Sequence, residues 1–593
     1  MKQTSNKSGA ALSRWGLAAL ALISTYLLFH GAIVTRARSL LDPYSFSGDA
    51  LQHIPPLWYA HERSLFSLDY IRDYYWKALF PPLFKATYWV VTLFAEPASA
   101  SKIVSCALSI LFVATITRTS YVLAGRSSAF ISLVLATGGT LKNFPFMSGL
   151  QRGFGTWLCA LMLLLVVQGN ILGLCTTIVL TAMFYPAAAV FGLIALGLIL
   201  CLPERFLGRG APWTIRRRFA TMGLCGVLTS LSVLPQLRAG SLYGERLSIE
   251  HQQEFAEWGP LGRYTQGDRG VTMPFWQKFH DNTFSSLMAG KLGRSKHHPS
   301  DDEASPEVPS PQDALRRNFL LTIFASLVCA LLLARRTGGR LTPEVVRICA
   351  YLTAVGVSFA AATLLFPLLY IPTRYVVITL PALVPLIFPA LWTGAVGVLW
   401  GSRAPRLLEP AAISMGMVAL AFLGWFSLAI KPMPTASGHR ELFSVIKALP
   451  RESVIVGWPR GAITTVSLFT GRNVLLHEEA HQIFHRNFLE ECRRRMRAII
   501  KLYSSPSQAA VDELRRDYGA THILLDRKHL KNTPSYFAPY QDEILAARAA
   551  AGATSLYLEQ AVQDATIFRL QNLILIDLTK LPPAADNRAA QLP

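Results

Sequence analysis

Residues 170–203 read NILGLCTTIVLTAMFYPAAAVFGLIALGLILCLP, an apolar run without a charged side chain, interrupted at Tyr185-Pro186. A helix crossing about 30 Å of hydrocarbon needs roughly 20 mostly apolar residues. Proline opens a helix well but interrupts one that is under way, so the run predicts two spans hinged at Tyr185 and Pro186. The chain repeats this pattern, with eleven candidate spans near 15–35, 101–123, 127–141, 153–168, 170–185, 187–203, 219–236, 317–334, 346–368, 375–400 and 410–430.

Composition agrees. Hydrophobic residues make up 52% of the 593 positions and charged residues 16%, and mean hydropathy is positive. These values mark a polytopic α-helical membrane protein and exclude a water-soluble globule of this size. The formal net charge of +21 raises nucleic acid as a partner. The placement of the charges argues against it: with the N-terminus inside, sixteen Lys and Arg fall in inner segments, including Arg118, Arg126, Arg205, Arg216, Arg217, Arg218 and Arg347. The short outer loops hold three, Lys142, Arg152 and Arg374. That asymmetry is the positive-inside pattern. An odd number of spans then puts the chain after Lys431 on the outer side, together with loops 36–100 and 237–316.

The first span carries Lys2, Lys7 and Arg14 ahead of its apolar core, and no small-x-small site precedes Thr35-Arg36-Ala37-Arg38, so residues 1–35 read as a retained anchor. Seven of the eight cysteines fall in predicted spans and Cys492 stands alone outside, which implies no disulfide framework. Loop 36–100 is too long for a simple connection. Its apolar stretch Pro82–Phe94 is too short to span and predicts a juxtamembrane helix with Tyr88 and Trp89 at headgroup depth. Transmembrane helices 2–7 occupy 101–236. Loop 237–316 ends in SKHHPSDDEASPEVPSPQD, a disordered composition, while its aromatic half suits a cover over a cavity. Helices 8–11 fill 317–430. Residues 431–593 predict an extracytoplasmic α/β domain with a loose tail, in which ESVIVGW, RNVLLH and THILLD are strand-like and NFLEECRRRMRAIIKLY and SQAAVDELRRDYG helical.

The first outer loop carries the densest chemistry: SGDALQHIPPLWYAHERSLFSLDYIRDYYWKALFPPL, residues 47–83. An acidic residue at the outer membrane edge, a Pro-Pro-Leu opening an interfacial helix, short charged inner turns and a terminal outer α/β domain together resemble the superfamily C membrane glycosyltransferases. The nearest branch is that of the protein O-mannosyltransferases and aminoarabinose transferases. The resemblance rests on Gly48-Asp49-Ala50-Leu51-Gln52-His53, on Phe80-Pro81-Pro82-Leu83, on Lys142 through Arg152, and on Ile371-Pro372-Thr373-Arg374-Tyr375 followed by Pro381. It implies transfer of a sugar from a polyprenyl-phosphate donor to a protein, lipid or glycan acceptor on the outer face, with Asp49 at the reaction centre. Ala50 stands where the family usually carries a Glu, which leaves Asp49 without the customary acidic neighbour.

The chemistry reaches the same residues independently. A lipid phosphate leaving group asks for Arg or Lys at headgroup depth, which Arg374, Lys142 and Arg152 supply, with Tyr375 beside them. The acceptor hydroxyl loses a proton as it attacks, and Asp49, assisted by His53, is the natural base. Bland readings stand beside these: Asp49 as an N-cap for a helix at Ala50, Arg374 as a snorkelling cation. Asp69 and Asp73, one turn apart, read as a second acidic cluster or a solvated face with Arg72. His477-Glu478-Glu479-Ala480-His481 matches the HExxH zinc-peptidase pattern, but it follows a strand rather than sitting mid-helix. No cofactor is required by the sequence, and divalent-metal dependence stays open. The expectation is an inverting glycosyltransferase of a bacterial inner membrane, N-terminus cytoplasmic, with membrane lipids and a lipid-linked donor as partners and no nucleic acid. A lipid or polysaccharide transporter or flippase is the alternative from another class.

Overall fold

The computed structural model describes residues 14–142, 149–207, 213–247, 251, 254–258, 261–263, 342–365, 369, 371–400, 432–552 and 556–582. The spans expected at 317–334 and 410–430, the polar end of the second loop and the tail lie outside them. The first helix, α1 (Arg14–Leu41), leads into a long loop, where α2 (Ala50–His53), α3 (Tyr70–Tyr74) and α4 (Pro82–Val91) are strung between tight turns. The apolar helices follow: α5 (Pro97–Lys142), α6 (Gln151–Gln168), α7 (Ile171–Phe184), α8 (Pro186–Leu200), α9 (Ile215–Gly240), α10 (Pro343–Leu364) and α11 (Pro372–Trp400).

Among the described residues, four helical segments are long and apolar enough to cross a membrane: Pro97–Leu141, Gln151–Gln168, Ile215–Tyr243 and Pro343–Leu364. The first is two arms. Gly125 sits at φ +84°, a conformation only glycine adopts freely, and Ser120 Oγ lies 2.8 Å from Ser128 Oγ. Along a straight helix eight residues would rise roughly 12 Å, so the chain folds back at Gly125, between the expected spans 101–123 and 127–141. The hinge expected after residue 184 is also present. Tyr185 leaves the helical region at ψ 87° and Pro186 starts α8, while Asn170 Oδ1 caps α7 by accepting from Gly173 N at 2.9 Å.

Packing between apolar helices in lipid gains little from apolar burial alone, so polar ties matter. Arg347, 3% exposed at the start of α10, donates to the carbonyls of Val166 and Val167 at 2.7 Å and of Phe206 at 2.8 Å. It thereby closes the orphan carbonyls where α6 ends. At the opposite end Arg36 of α1 donates to Leu141 O, from Nε at 3.1 Å and Nη2 at 2.6 Å.

α4 corrects one expectation. Trp89 and Phe94 are exposed, at 46% and 85%, but Tyr88 is fully buried and donates to Gly149 O at 2.8 Å. A side chain wedged between α4 and the start of α6 does not reach headgroups. The exposed face is Trp89, Val90, Leu93 and Phe94.

The C-terminal part contains α12 (Arg440–Ala448), β1 (Val454–Val456), α13 (Ile463–Thr470), β2 (Asn473–Val474), α14 (Arg486–Leu502), α15 (Ala509–Tyr518), β3 (Ala520–Asp526), α16 (Tyr540–Ala551), α17 (Tyr557–Asp564), β4 (Thr566–Leu570) and β5 (Leu573–Asp577). They form a five-stranded sheet of order β2-β1-β3-β5-β4. β1 runs parallel to β2 and β3, and β5 pairs antiparallel with β3 and β4. The three sequence-legible strands are the parallel half. Their apolar runs are buried, with helices covering the crossovers.

Two clamps seat this sheet on the loop after α1 and the loop after α9. Arg72, 3% exposed, reaches from α3 to the carbonyls of Gly471 at 2.9 Å and Arg472 at 2.6 Å. Its guanidinium lies 4.5 Å from the Tyr59 ring. In the second loop Glu257, fully buried, accepts from Arg493 Nε at 2.8 Å and Nη2 at 2.6 Å and from Tyr540 OH at 2.7 Å. The fork-on-fork pairing with Arg493 repays the desolvation of the carboxylate. The described part of that loop therefore lies along the α/β sheet unit, with Leu247 N donating to Phe484 O at 3.0 Å.

Candidate functional site

Asp49 precedes α2 but does not cap it through its side chain. The carboxylate instead forms an ion pair with Arg152 in the first turn of α6, Arg152 being 6% exposed and Asp49 24%. The N-cap reading thus gives way to a polar one: a cation buried at a helix start, facing a partly exposed carboxylate. The PPL segment supports this loop from behind. Pro82 opens α4, Phe80 is fully buried, and His53 stacks 6.0 Å from the Phe80 ring and edge-on 5.8 Å from that of Tyr75.

Desolvation, with Arg374 adding positive potential, pushes the His53 pKa down to about 3. His53 is therefore a neutral imidazole across the physiological range and a weak proton acceptor there. Arg374, in the first turn of α11, thus acts electrostatically on His53 of α2. Tyr375 turns inward, 1% exposed, and spends its hydroxyl on Leu369 O at 2.8 Å. Asp49 thus pairs with Arg152, and Arg374 acts on His53 in the short helix that Asp49 precedes. The Lys142 side chain lies outside the described residues.

The second acidic pair does not gather. Asp69 caps α3, accepting from Ile71 N at 3.1 Å and Arg72 N at 3.0 Å, and its other oxygen lies 3.1 Å from Arg72 Nε. Asp73 instead accepts from Tyr243 OH at 2.7 Å and Lys77 Nζ at 2.8 Å. One carboxylate anchors the α/β sheet unit and the other α9's end.

The HExxH segment has no helical face on which to present two histidines. His477 is extended, at φ −139° and ψ 155°, and a short turn covers Glu478–Ala480. Glu478 is held by Arg460 Nε at 2.8 Å and Nη2 at 2.6 Å, and Glu479 by Arg263 at 2.8 Å. No group of three or more His, Cys, Asp or Glu suited to a metal ion occurs among the described residues.

Sequence reading missed the link between α2 and the α/β sheet unit. Gln52 Oε1 accepts from Tyr75 OH at 3.1 Å and from Gln482 Nε2 at 2.8 Å. Arg246 also went unremarked, although its charge acts on both Tyr375 and His485. Neither residue belongs to a spacing pattern that would have flagged it.

Burial of this junction has a pH consequence. Desolvation pushes His477 and His481 down to about 3 and His485 to about 4. Their folded values lie below the unfolded one, so the unfolded chain binds more protons under acid conditions. The stability from keeping them neutral is complete above about pH 6.5 and is lost as pH falls toward about 3, at about 1.4 kcal/mol per histidine per pH unit. Thermal melts of the solubilised protein are expected to drop steeply between pH 6.5 and 4.5. A flat profile across that window would refute the buried neutral histidines.

No family model and no curated sequence matches the chain. Solved structures do resemble it. The oligosaccharyltransferase of Archaeoglobus fulgidus with Zn and sulfate matches at 10% identity and a TM-score of 0.47, over 86% of this chain and 68% of that one. ArnT of Cupriavidus metallidurans in the apo state matches at 13% identity and a TM-score of 0.46, over 96% and 98%. The mycobacterial arabinofuranosyltransferase AftD matches at 15% identity and a TM-score of 0.42, over 97% of this chain and 42% of that one.

Proposed function

We propose that the protein is a polytopic membrane glycosyltransferase of about eleven spans, with an extracytoplasmic C-terminal α/β domain, moving a sugar from a polyprenyl-phosphate donor to an acceptor on the outer face. The observation that carries the reading is the Asp49–Arg152 pair at the outer end of the helices, with Arg374 acting on neighbouring His53. A carboxylate open to solvent beside guanidinium groups suits one reaction in particular. The acceptor O–H attacks the anomeric carbon, Asp49 takes its proton, the C1–O bond to phosphate breaks, and the lipid phosphate departs with the electron pair. Arg374 and Arg152 stabilise the charge on that oxyanion. Attack opposite the leaving phosphate inverts the anomeric centre.

Donor and acceptor would meet from different directions. The polyprenyl chain enters between helices from the lipid, and the acceptor comes from the side of the α/β domain. Transfer of radiolabelled sugar from a mixed polyprenyl-phosphate-sugar pool by the purified protein in bilayers tests the reading. Absence of incorporation from every donor, with no lipid carrier bound, would overturn it in favour of transport. In the same bilayers Arg374→Ala is expected to weaken donor binding by about tenfold or more, the scale of one lost charge-assisted contact. An unchanged donor affinity would strip Arg374 of its role.

A further inference from the structure

A polar cavity of about 490 Å³ lies between the first outer loop and the open edge of the sheet, bounded by Asp69 and Tyr70 on one side and Asn473, Glu491, Arg495 and Tyr518 on the other. It is separate from the Asp49 neighbourhood. We infer that this cavity binds a saccharide chain. The inference deepens the transferase reading by naming a substrate class, and depends on that reading only for its place in turnover.

Three observations carry it. First, Asn473 is 3% exposed. Its Oδ1 accepts from the Tyr59 hydroxyl, while its Nδ2 has no hydrogen-bond partner. A buried amide donor without an acceptor is costly and uncommon, and a ligand oxygen arriving in the cavity would satisfy it. Second, the Arg495 guanidinium lies between two tyrosines, 5.9 Å from the Tyr70 ring and 5.7 Å from the Tyr518 ring. Glu491 holds its Nε at 2.7 Å and Leu475 O holds Nη1 at 3.0 Å, so the rings and the fork are fixed in advance. Third, the wall alternates sign, with Arg494 2.7 Å from the same Glu491 and Asp517 lining the cavity.

Sugar hydroxyls donate and accept at once, so a wall mixing carboxylates, guanidinium groups and an amide donor satisfies them where it would repel a strongly charged polymer. The half-buried Tyr518 ring at the cavity wall suits the C–H face of a pyranose. A peptide adding to the sheet edge fits less well, because the edge strand β2 is two residues long and offers almost no ladder.

The test uses the full chain in nanodiscs, titrated with hexasaccharides of glucose, mannose, galactose and arabinose and with an extended hexapeptide. At least one hexasaccharide is expected to bind. Tyr518→Ala and Asn473→Asp should each weaken it by about tenfold, and Asp49→Asn should leave it unchanged. During turnover, Tyr518→Ala should raise KM for whichever substrate bears the chain, acceptor or lipid-linked donor, with kcat kept. No hexasaccharide bound, equal binding by wild type and the well-folded Tyr518→Ala, or binding of the hexapeptide alone would overturn the inference. Hexasaccharide binding without any transfer would leave the cavity standing and remove the transferase; transfer without binding would do the reverse.

Discussion

Asp49→Asn is expected to reduce sugar transfer by roughly 10²- to 10⁴-fold, the usual worth of a positioned general base. The substitution is nearly isosteric, and an amide oxygen can still accept from Arg152, so the start of α6 keeps a partner for its buried cation. What is lost is the capacity to hold the acceptor's proton. Donor binding, which on this reading depends on Arg152 and Arg374, should change little, so kcat falls while the affinity for the lipid-linked sugar stays. Turnover and donor binding measured on the same bilayer preparation separate the two quantities. Wild-type turnover in the variant would remove Asp49 from the chemistry and return it to a structural role beside Arg152.

Asp69→Ala is expected to act in the opposite manner, on stability rather than on the reaction. The carboxylate is 4% exposed and does two jobs, capping α3 and pairing with Arg72. Removing one partner of a buried pair costs about 3–5 kcal/mol, because the remaining charge is left uncompensated, and a lost N-cap adds about 1 kcal/mol. The melting temperature should fall, and limited proteolysis should cut near Gly471, where Arg72 no longer holds the backbone. A second variant, Asp69→Asn, keeps the cap acceptor and should recover part of the loss. A variant as stable as wild type but inactive would restore Asp69 to the acidic site that its spacing from Asp73 suggested.

These two carboxylates show where sequence reading reached and where it stopped. Asp49, Arg152 and Arg374 stood out in the sequence because each flanks an apolar run where few charges occur. The Asp49–Arg152 pair was not legible, since it joins two segments far apart in the chain, about which local spacing is silent. Asp69 and Asp73 were misleading for the same reason: helical spacing placed them near one another, but Asp69 precedes the helix and turns back onto its first amides. Tyr88 looked interfacial because aromatic residues favour headgroups, and the deciding fact, the Gly149 carbonyl, lies far along the chain. In the sheet, β1, β2 and β3 announced themselves as continuous apolar runs. β4 and β5 did not: they are joined at Gln571-Asn572 with Gln571 at φ +54°, in place of the glycine that usually signals so tight a hairpin.

The Arg72 clamp also sets an order of assembly. Its backbone acceptors lie 399 and 400 positions further along the chain. At roughly 5–20 residues per second, synthesis would leave the first outer loop waiting about 20–80 s for the segment that completes it. During that interval Arg72 lacks its carbonyl acceptors, α2 lacks Gln482, and the loop carrying Asp49 stands without the segment that covers it. A nascent chain arrested before Gly471 should therefore present a protease-sensitive first loop on membranes whose early helices are already inserted. The loop carrying Asp49 would then reach its finished packing last, only once the chain beyond Gly471 has been made.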